Sequence, residues 1–468
     1  MSNRLRSWGL VGVGMIAGLS ISYGVTAYAF REAERPIPVN QIREFTDVFG
    51  AIKADYVDPV SDRKLIDSAI SGMVSGLDPH SEFLDAEAYR ELEVGTQGQF
   101  GGLGIEVGAE AGALKVIAPI DGTPAARAGV RAGDYIIRID GRFTRGMSLN
   151  DAVKLMRGKP HTPITLTIVR KGVKDPLVIR IVRDIIHVQS VTGHMIQPGY
   201  GYLRISEFQD NTTADLARKI ESFYKKGPLK GLVLDLRNDP GGVLNGAIGV
   251  SAIFLPPGST VVTTKGRTAD SDRRFVASPS DYLRDESTDP LVGLPKAVKD
   301  VPLVVLVNGA SASASEIVSG ALQDHKRAKI LGNQTFGKGS VQSVIQLRGG
   351  NNPVALKLTT ARYFTPSGRS IQVRGITPDY IVDDTPKGNF AGLTIHESDL
   401  TNHLANPISG RKAPQPLPKA ETELAPANAH RYEFGSKNDF QLLQALNLLQ
   451  NRPVDVAKAP PVIANATH

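Results

Sequence analysis

The run Leu-Val-Val-Leu-Val at residues 303–307, followed without a break by Asn-Gly-Ala-Ser-Ala-Ser-Ala-Ser-Glu at residues 308–316, constrains this chain more than any other stretch. Consecutive β-favouring apolar residues with no polar alternation read as a strand buried on both faces. The small residues after it read as a tight turn into a helix over residues 315–323. In an open α/β sheet, sites form outside the C-terminal ends of strands. A serine hydroxyl there faces the positive end of a helix, where a developing oxyanion is stabilised. Such a serine is placed as a nucleophile.

The same alternation extends around it. Strands are predicted over residues 202–205, 231–236 and 330–331, with helices over 213–224 and 244–254, which implies a largely parallel sheet. The turn Asp239-Pro240-Gly241-Gly242 falls at another strand end. Upstream, residues 39–93 carry helical spacing, with Ile42, Phe45, Val48, Phe49 and Ile52 on one face and Leu65, Ile66, Ile70 and Met73 on another. Between these regions a Gly-rich segment at 100–107, strands over 114–117, 164–169 and 177–182, and a helix holding Ala152, Leu155 and Met156 make a compact β-rich module. Beyond Asp384, Pro and Ala enrichment at 412–429 and 458–466 reads as flexible linker and tail, with one helix at 439–449.

Composition narrows the chemistry. The 468 residues include no cysteine, so a covalent mechanism must use an oxygen or nitrogen nucleophile. The net charge of +7 is dispersed rather than gathered into basic runs, which argues against nucleic-acid binding. Arg4 and Arg6 precede an uncharged stretch at 7–30 with Ala27-Tyr28-Ala29 near its end. That pattern predicts export, by a removed signal peptide or a retained anchor, with the N-terminus cytoplasmic in both cases.

A serine needs a base. His325 lies roughly 18 Å from Ser313 along a helix axis, and none of the other histidines sits in a triad setting. His80, alone between predicted helices, reads as a packing or capping residue. Lys338 stands between Gly337 and Gly339, which let its backbone enter a crowded pocket. An apolar pocket lowers a lysine's proton affinity and makes the neutral amine available, whereas an arbitrary loop lysine is simply solvated. A phosphate-binding loop is excluded because Gly339 stands where that motif needs Ser or Thr.

Residues 96–184 resemble a PDZ domain of the kind found in exported bacterial proteases, with Gly102-Leu103-Gly104-Ile105 as the carboxylate loop. Glycine-freed backbone amides can cradle a carboxylate while a strand edge pairs with an extended peptide. Together with Ser-Ala-Ser-Ala-Ser-Glu, Thr-Phe-Gly-Lys-Gly-Ser-Val-Gln, Leu-Asp-Leu-Arg-Asn-Asp-Pro-Gly-Gly, Leu77-Asp78-Pro79-His80-Ser81 and Thr365-Pro366-Ser367-Gly368-Arg369, this module makes residues 40–384 resemble the carboxy-terminal processing (tail-specific) proteases.

The resemblance implies a fold of an N-terminal helical unit (38–95), the PDZ domain (96–184), an α/β crotonase/ClpP-like protease core (185–384) and a C-terminal extension (385–468), after the export segment at 1–30. It implies Ser313 as nucleophile, Lys338 as base and Gln342 as the residue that orients the lysine. The oxyanion would be met by Ala314 and by Gly241 or Gly242, and Arg157 would report PDZ occupancy. Ser311 and Ser315 would be a turn residue and a helix-start residue. No metal or organic cofactor is implied. Substrates would be proteins with exposed apolar C-terminal tails, cut near those tails in the bacterial periplasm by a homo-oligomer, in some relatives with a lipoprotein adaptor. Rival readings are a non-catalytic scaffold that binds tails, a histidine-triad protease, and an acyl-thioester enzyme sharing the core fold. Intact Ser313, Lys338 and Gln342 oppose the first. The absent Gly-Asn-Ser-Gly-Gly loop opposes the second, and the PDZ module has little use in the third.

Overall fold

The computed structural model describes residues 38–110, 113–284, 288–347, 353–389, 395–408 and 433–457. The predicted export segment and both Pro/Ala-rich stretches lie outside the described residues. The chain divides into units of residues 1–70 and 71–468. In the first, helix α1 (Val39–Asp55) buries none of its residues, and Ile42, Phe45 and Val48 of its apolar face are exposed. Lys53 closes its end by reaching Val60 O (2.9 Å) and Asp62 (2.8 Å) at the start of helix α2 (Asp62–Ser75).

Within the stretch read as helical, Glu82–Leu84 forms strand β1 instead, because Glu82, Phe83 and Leu84 pair with Lys357, Leu356 and Ala355. Three residues are too few to carry a periodicity, so only the partner strand reveals them. Helix α3 (Ala86–Gln97) starts at an Asp85 cap and ends at left-handed Gly98.

The β-rich module follows, with β2 (Gln99–Gly102), β3 (Ile105–Glu110), β4 (Ala113–Pro119), α4 (Pro124–Arg127), β5 (Tyr135–Ile139), β6 (Arg142–Phe143), α5 (Leu149–Met156), β7 (Pro163–Val169), β8 (Leu177–Val182) and β9 (Asp184–His187). Strands β3-β4-β5-β7-β8 make one antiparallel sheet with β6 on β5, and β2 pairs with β9 in a separate ribbon. Alternate residues Ile164, Leu166 and Ile168 of β7 are buried against Val116, Ile136, Ile139 and Met156, as one-faced burial requires.

The second half holds β10 (Val191–Gln197), β11 (Tyr200–Ile205), α6 (Thr212–Tyr224), β12 (Gly231–Asp235), α7 (Leu244–Phe254), β13 (Thr260–Gly266), β14 (Arg273–Val276), α8 (Pro279–Tyr282), β15 (Leu303–Val307), α9 (Ala314–Asp324), β16 (Lys329–Gly332), β17 (Ser340–Leu347), β18 (Val354–Phe364), β19 (Tyr380–Ile381) and α10 (Phe440–Leu449). The main sheet runs β10-β11-β12-β15-β16-β19 and is parallel from β11 to β19. A second, antiparallel sheet runs β1-β18-β13-β14, with β17 also paired to β18.

Every residue of β15 is buried, because the main sheet is covered on both faces. Leu216, Ile220, Phe254, Ile317, Val318 and Leu322 of α6, α7 and α9 cover one. Leu442 and Ala445 of α10 cover the other, over Val233, Val304, Leu306 and Leu331. Fully burying one Leu or Ile side chain is worth about 1.5–3 kcal/mol. A buried guanidinium fastens this second layer: Arg237 bonds Asp235 (2.6 Å), Asp439 (2.5 Å) and Gln441 (3.0 Å).

Candidate active site

Strand β15 delivers the serine-rich turn to the end of β12, and the two turns are sewn together by small polar groups. Asn308 Nδ2 donates to Asn238 Oδ1 (2.7 Å), and Ser311 Oγ donates to Leu236 O (2.7 Å). Asp239 O accepts from Ala312 N (3.0 Å) and from Ser315 Oγ (3.0 Å). Ser311 and Ser315 are fully buried, and their hydroxyls hold the turn together. Ser313 is the N-cap of α9 with φ 52° and ψ −110°. A non-glycine residue at positive φ carries strain that its surroundings must hold, and such strain clusters at working sites.

Gly241 packs directly against this serine. A Cβ there would stand 2.8 Å from Ser313 Cβ and 2.7 Å from Ala312 O, so only glycine lets the two backbones meet. A Cβ on Gly242 would stand 2.0 Å from Phe208 O. Phe208 brackets this turn, donating from its N to Gly241 O (2.8 Å) and accepting from Val243 N (2.9 Å). The Gly241 amide donates to Asp239 Oδ1 (2.9 Å). Burial pushes the Asp239 carboxyl well above the usual carboxylate range, against the bond from Gly241.

The lysine loop reaches the serine through Glu316, three residues into the helix side of the turn. This carboxylate is fully buried. Its Oε1 accepts from Thr335 Oγ1 (2.5 Å) and Gly337 N (2.7 Å). Its Oε2 accepts from Ser313 N (2.8 Å) and Lys338 N (2.9 Å). Burial pushes Glu316 up to about 7, with the hydrogen bonds from Thr335, Gly337, Ser313 and Lys338 pulling the other way. The spacing Ser-x-x-Glu at 313–316 is a capping-box signature, so a reciprocal role for Glu316 was readable from sequence.

Burial, and then the charge of Lys357 on β18, lower the proton affinity of Lys338 against Glu397, Glu316 and Asp78. Gln342 on β17 donates from Nε2 to Ser340 Oγ (2.9 Å) and Thr359 Oγ1 (3.1 Å). Thr359 Oγ1 in turn donates to Asp78 Oδ1 (3.0 Å). Gly241, Ser313 and Lys338 are thus gathered at the start of α9, by the close approach of Gly241 to Ser313 and by the shared Glu316, whereas Gln342 lies in β17 of the second sheet and bonds Ser340 and Thr359. His325 caps the far end of α9 and bonds Thr260 O (2.7 Å).

In the β-rich module, Gly102 ends β2, Ile105 starts β3, and Leu103 and Gly104 form the break between them. The carbonyls point inward: Leu103 O accepts from Ala125 N (3.0 Å), and Gly104 O accepts from Ile120 N (2.9 Å). Gly104 has φ +72°, and the Thr123 side chain occupies the space a Cβ would need. Arg157 follows α5, is exposed, and lays its guanidinium 4.6 Å over the Phe100 ring.

Comparison with known proteins assigns the chain. Residues 199–382 match the model of peptidase family S41, residues 115–170 a PDZ domain model, and residues 24–88 the N-terminal domain of the activating protease CtpB. The carboxy-terminal-processing protease of Bartonella bacilliformis is 44% identical over 447 residues, covering 94% of this chain and 96% of that protein. The chain belongs to the carboxy-terminal-processing proteases of peptidase family S41. This S41 serine peptidase is also 37% identical to a probable CtpA-like serine protease of Staphylococcus aureus, over 74% of the chain and 65% of that protein. Among solved structures it is similar to the photosystem II D1 C-terminal processing protease, at 31% identity and a TM-score of 0.40, covering 72% of this chain and 86% of that one. The expected multidomain fold, with a PDZ domain beside an S41 protease core, is that of the family.

Proposed function

We propose that this S41 peptidase cuts proteins near their C-termini with a Ser313–Lys338 dyad, after its PDZ domain has captured the free C-terminal carboxylate. The observation that carries the dyad is the single oxygen, Glu316 Oε2, on which the amides of Ser313 and Lys338 both hang. Two residues far apart in sequence are held two hydrogen bonds apart by one buried side chain.

The neutral Lys338 amine takes the Ser313 proton as Oγ bonds to the scissile carbonyl carbon, and the carbonyl oxygen becomes an oxyanion. Ala314 N, at the start of α9, and Gly242 N receive that charge. Gly242 is preferred over Gly241 because the Gly241 amide is already given to Asp239. The carbon–nitrogen bond then breaks, and the Lys338 ammonium protonates the leaving amine. Water attacks the acyl-serine, gives its proton to Lys338, and the proton returns to Ser313 as the new C-terminus leaves. Gln342, whose Nε2 is committed to Ser340 and Thr359, keeps its carbonyl oxygen for the lysine.

Residues 102–105 supply backbone amides for a tail carboxylate, and Arg157, beside Phe100 at the root of that loop, senses occupancy. The basic and uncharged N-terminal pattern supports export to the bacterial periplasm, with residues 1–30 removed or kept as an anchor. Among the described residues no helix is long and apolar enough to cross a membrane. A homo-oligomer and a lipoprotein adaptor complete the reading.

The test is cleavage of an unfolded protein with an apolar tail, free or amidated, by wild type, Ser313→Ala and Lys338→Ala. Loss in both variants and sensitivity to amidation are expected. Cleavage that survives Lys338→Ala removes the dyad, and a tail that works equally well amidated removes carboxylate capture.

A further inference from the structure

The glycines flanking Lys338 give its loop freedom, yet three consecutive amides of that loop are fixed by buried side chains. Gly337 N and Lys338 N donate to Glu316, and Gly339 N donates to Gln372 Oε1 (3.0 Å). The loop lies so close to Gln372 that a Cβ on Gly339 would stand 2.2 Å from Gln372 N. Gln372 is fully buried, and an amide side chain can rotate to present either end. Its orientation is set from behind: Nε2 donates to Glu397 Oε1 (2.8 Å) and Leu404 O (2.9 Å), so Oε1 must face Gly339.

Glu397 is fully buried and arrives from beyond the span matched by the peptidase model. Its Oε2 accepts from His80 Nε2 (2.7 Å), and its own N donates to Phe336 O (3.0 Å) in the lysine loop. His80 is held in turn by Asp78, whose Oδ1 accepts from His80 N (2.9 Å). The same Asp78 Oδ1 accepts from Thr359, the partner of Gln342. Two arms therefore leave a single turn at 78–81: one runs through Glu397 and Gln372 to the Gly339 amide beside Lys338, and one through Thr359 to Gln342 on β17. A buried carboxylate is tolerated only where it is paired and hydrogen-bonded. Glu397 spends both oxygens on this chain of contacts and has no other evident task.

We propose that Glu397, anchored by His80, is a positioning residue for Lys338, which it acts on through Gln372 and the Gly339 amide. This rests on the reading of Lys338 as the base. The charged groups around the amine are Lys357 from β18, Glu316 from α9, Asp78 from the turn, and Glu397, with His80 behind it. Removing the Glu397 charge leaves Lys357 less opposed and disfavours the ammonium form. The neutral amine then persists to lower pH.

The experiment uses the full chain and a peptide with a free apolar C-terminus. For Glu397→Ala, kcat per titrated active site is expected to fall about 10²-fold, as for a misaimed catalytic group, with KM within about twofold of wild type. For Glu397→Gln, which keeps an oxygen for Gln372, kcat returns to within about threefold, and the acid limb of the pH profile moves to lower pH. In the Ser313→Ala background, hydrogen exchange at 337–339 speeds up about tenfold or more in Glu397→Ala while α7 is unchanged. A merely structural role lowers the melting temperature and the titrated fraction but leaves kcat per site and the pH profile where they were, and that result overturns the proposal. Unchanged exchange at 337–339 also overturns it. Lys338→Ala, run beside these variants, separates the two readings: activity that persists there removes the base assignment, while the exchange measurement still judges the link from Glu397 to the loop.

Discussion

Ser313 and Lys338 share one acceptor: their backbone nitrogens stand 2.8 and 2.9 Å from Glu316 Oε2. The start of α9 and the lysine loop therefore cannot shift independently while that carboxylate is in place. A charge-assisted bond to each amide is stronger than a neutral one, and the strained backbone at Ser313 is held by the same group.

Glu316→Gln should disarm the enzyme although it is nearly isosteric. Four donors converge on the carboxylate, and an amide turns an NH2 toward some of them. A fall in kcat of about 10²-fold or more is expected, with KM little changed. Steady-state kinetics check it, and a wild-type kcat would show that the clamp has no part in catalysis.

The same carboxyl makes stability depend on pH. Its folded value of about 7 lies above the ordinary glutamate value of 4.5, so between those limits the folded state binds more protons than the unfolded one. Stability then falls as pH rises through that window, by at most about 3 kcal/mol. Chemical denaturation from pH 4 to 8 should show this component in wild type and lack it in Glu316→Gln. With Lys338 as the proposed base, activity runs the other way at its acid limb, because the amine must be neutral, and burial places that limb below the range of an ordinary lysine.

The three serines of the turn should separate cleanly. Ser313→Ala should abolish labelling by a serine-directed acylating reagent. Ser315→Ala loses a buried bond to Asp239 O, which costs on the order of 1 kcal/mol, and should keep its active-site labelling. Mass spectrometry of the labelled peptide reads both, and label on Ser311 or Ser315 would reassign the nucleophile.

Gly241→Ala and Gly242→Ala should both be inactive, for different reasons. The first drives a methyl into Ser313 and the second into Phe208 O. Displacing the Gly242 amide from the oxyanion position costs about 10²–10³ in kcat, whereas the methyl on Gly241 acts by pushing Ser313 itself. A wild-type kcat in Gly242→Ala would take that glycine out of the oxyanion site, and in Gly241→Ala it would show that the close approach to Ser313 is dispensable.

Arg237→Ala should loosen the layer formed by α10. It strands Asp235 and Asp439 as buried carboxylates without their guanidinium, a change worth about 3–5 kcal/mol. Denaturant unfolding measures it.

The main sheet and its cover were legible because thorough burial leaves a simple mark: the strand Leu303–Val307 and the helix Leu244–Phe254 are read to the residue. The second sheet was not. Strand β18 is only partly buried along its middle, and β17 shifts register between Val341 and Gln342, so neither keeps a clean alternation. The motifs pointed to Ser313 and Lys338, whose amides share Glu316 Oε2, and the Ser-x-x-Glu spacing marks Glu316. Gln372 and Glu397 carry no local signal, since their importance comes from packing against a loop distant in sequence. His80 reads from sequence as a packing or capping residue, and its partner lies 317 positions away.

The helix Phe440–Leu449 has a consequence for how the molecule is made. Strands β11, β12, β15 and β16 emerge from the ribosome well before the helix that roofs their second face, so Val233, Val304, Leu306 and Leu331 stay wet until synthesis has passed Leu449. Exposed apolar surface of that kind holds a domain short of its packed state. The sheet that carries the serine turn is therefore roofed on its second face only when a short helix near the end of synthesis has been made.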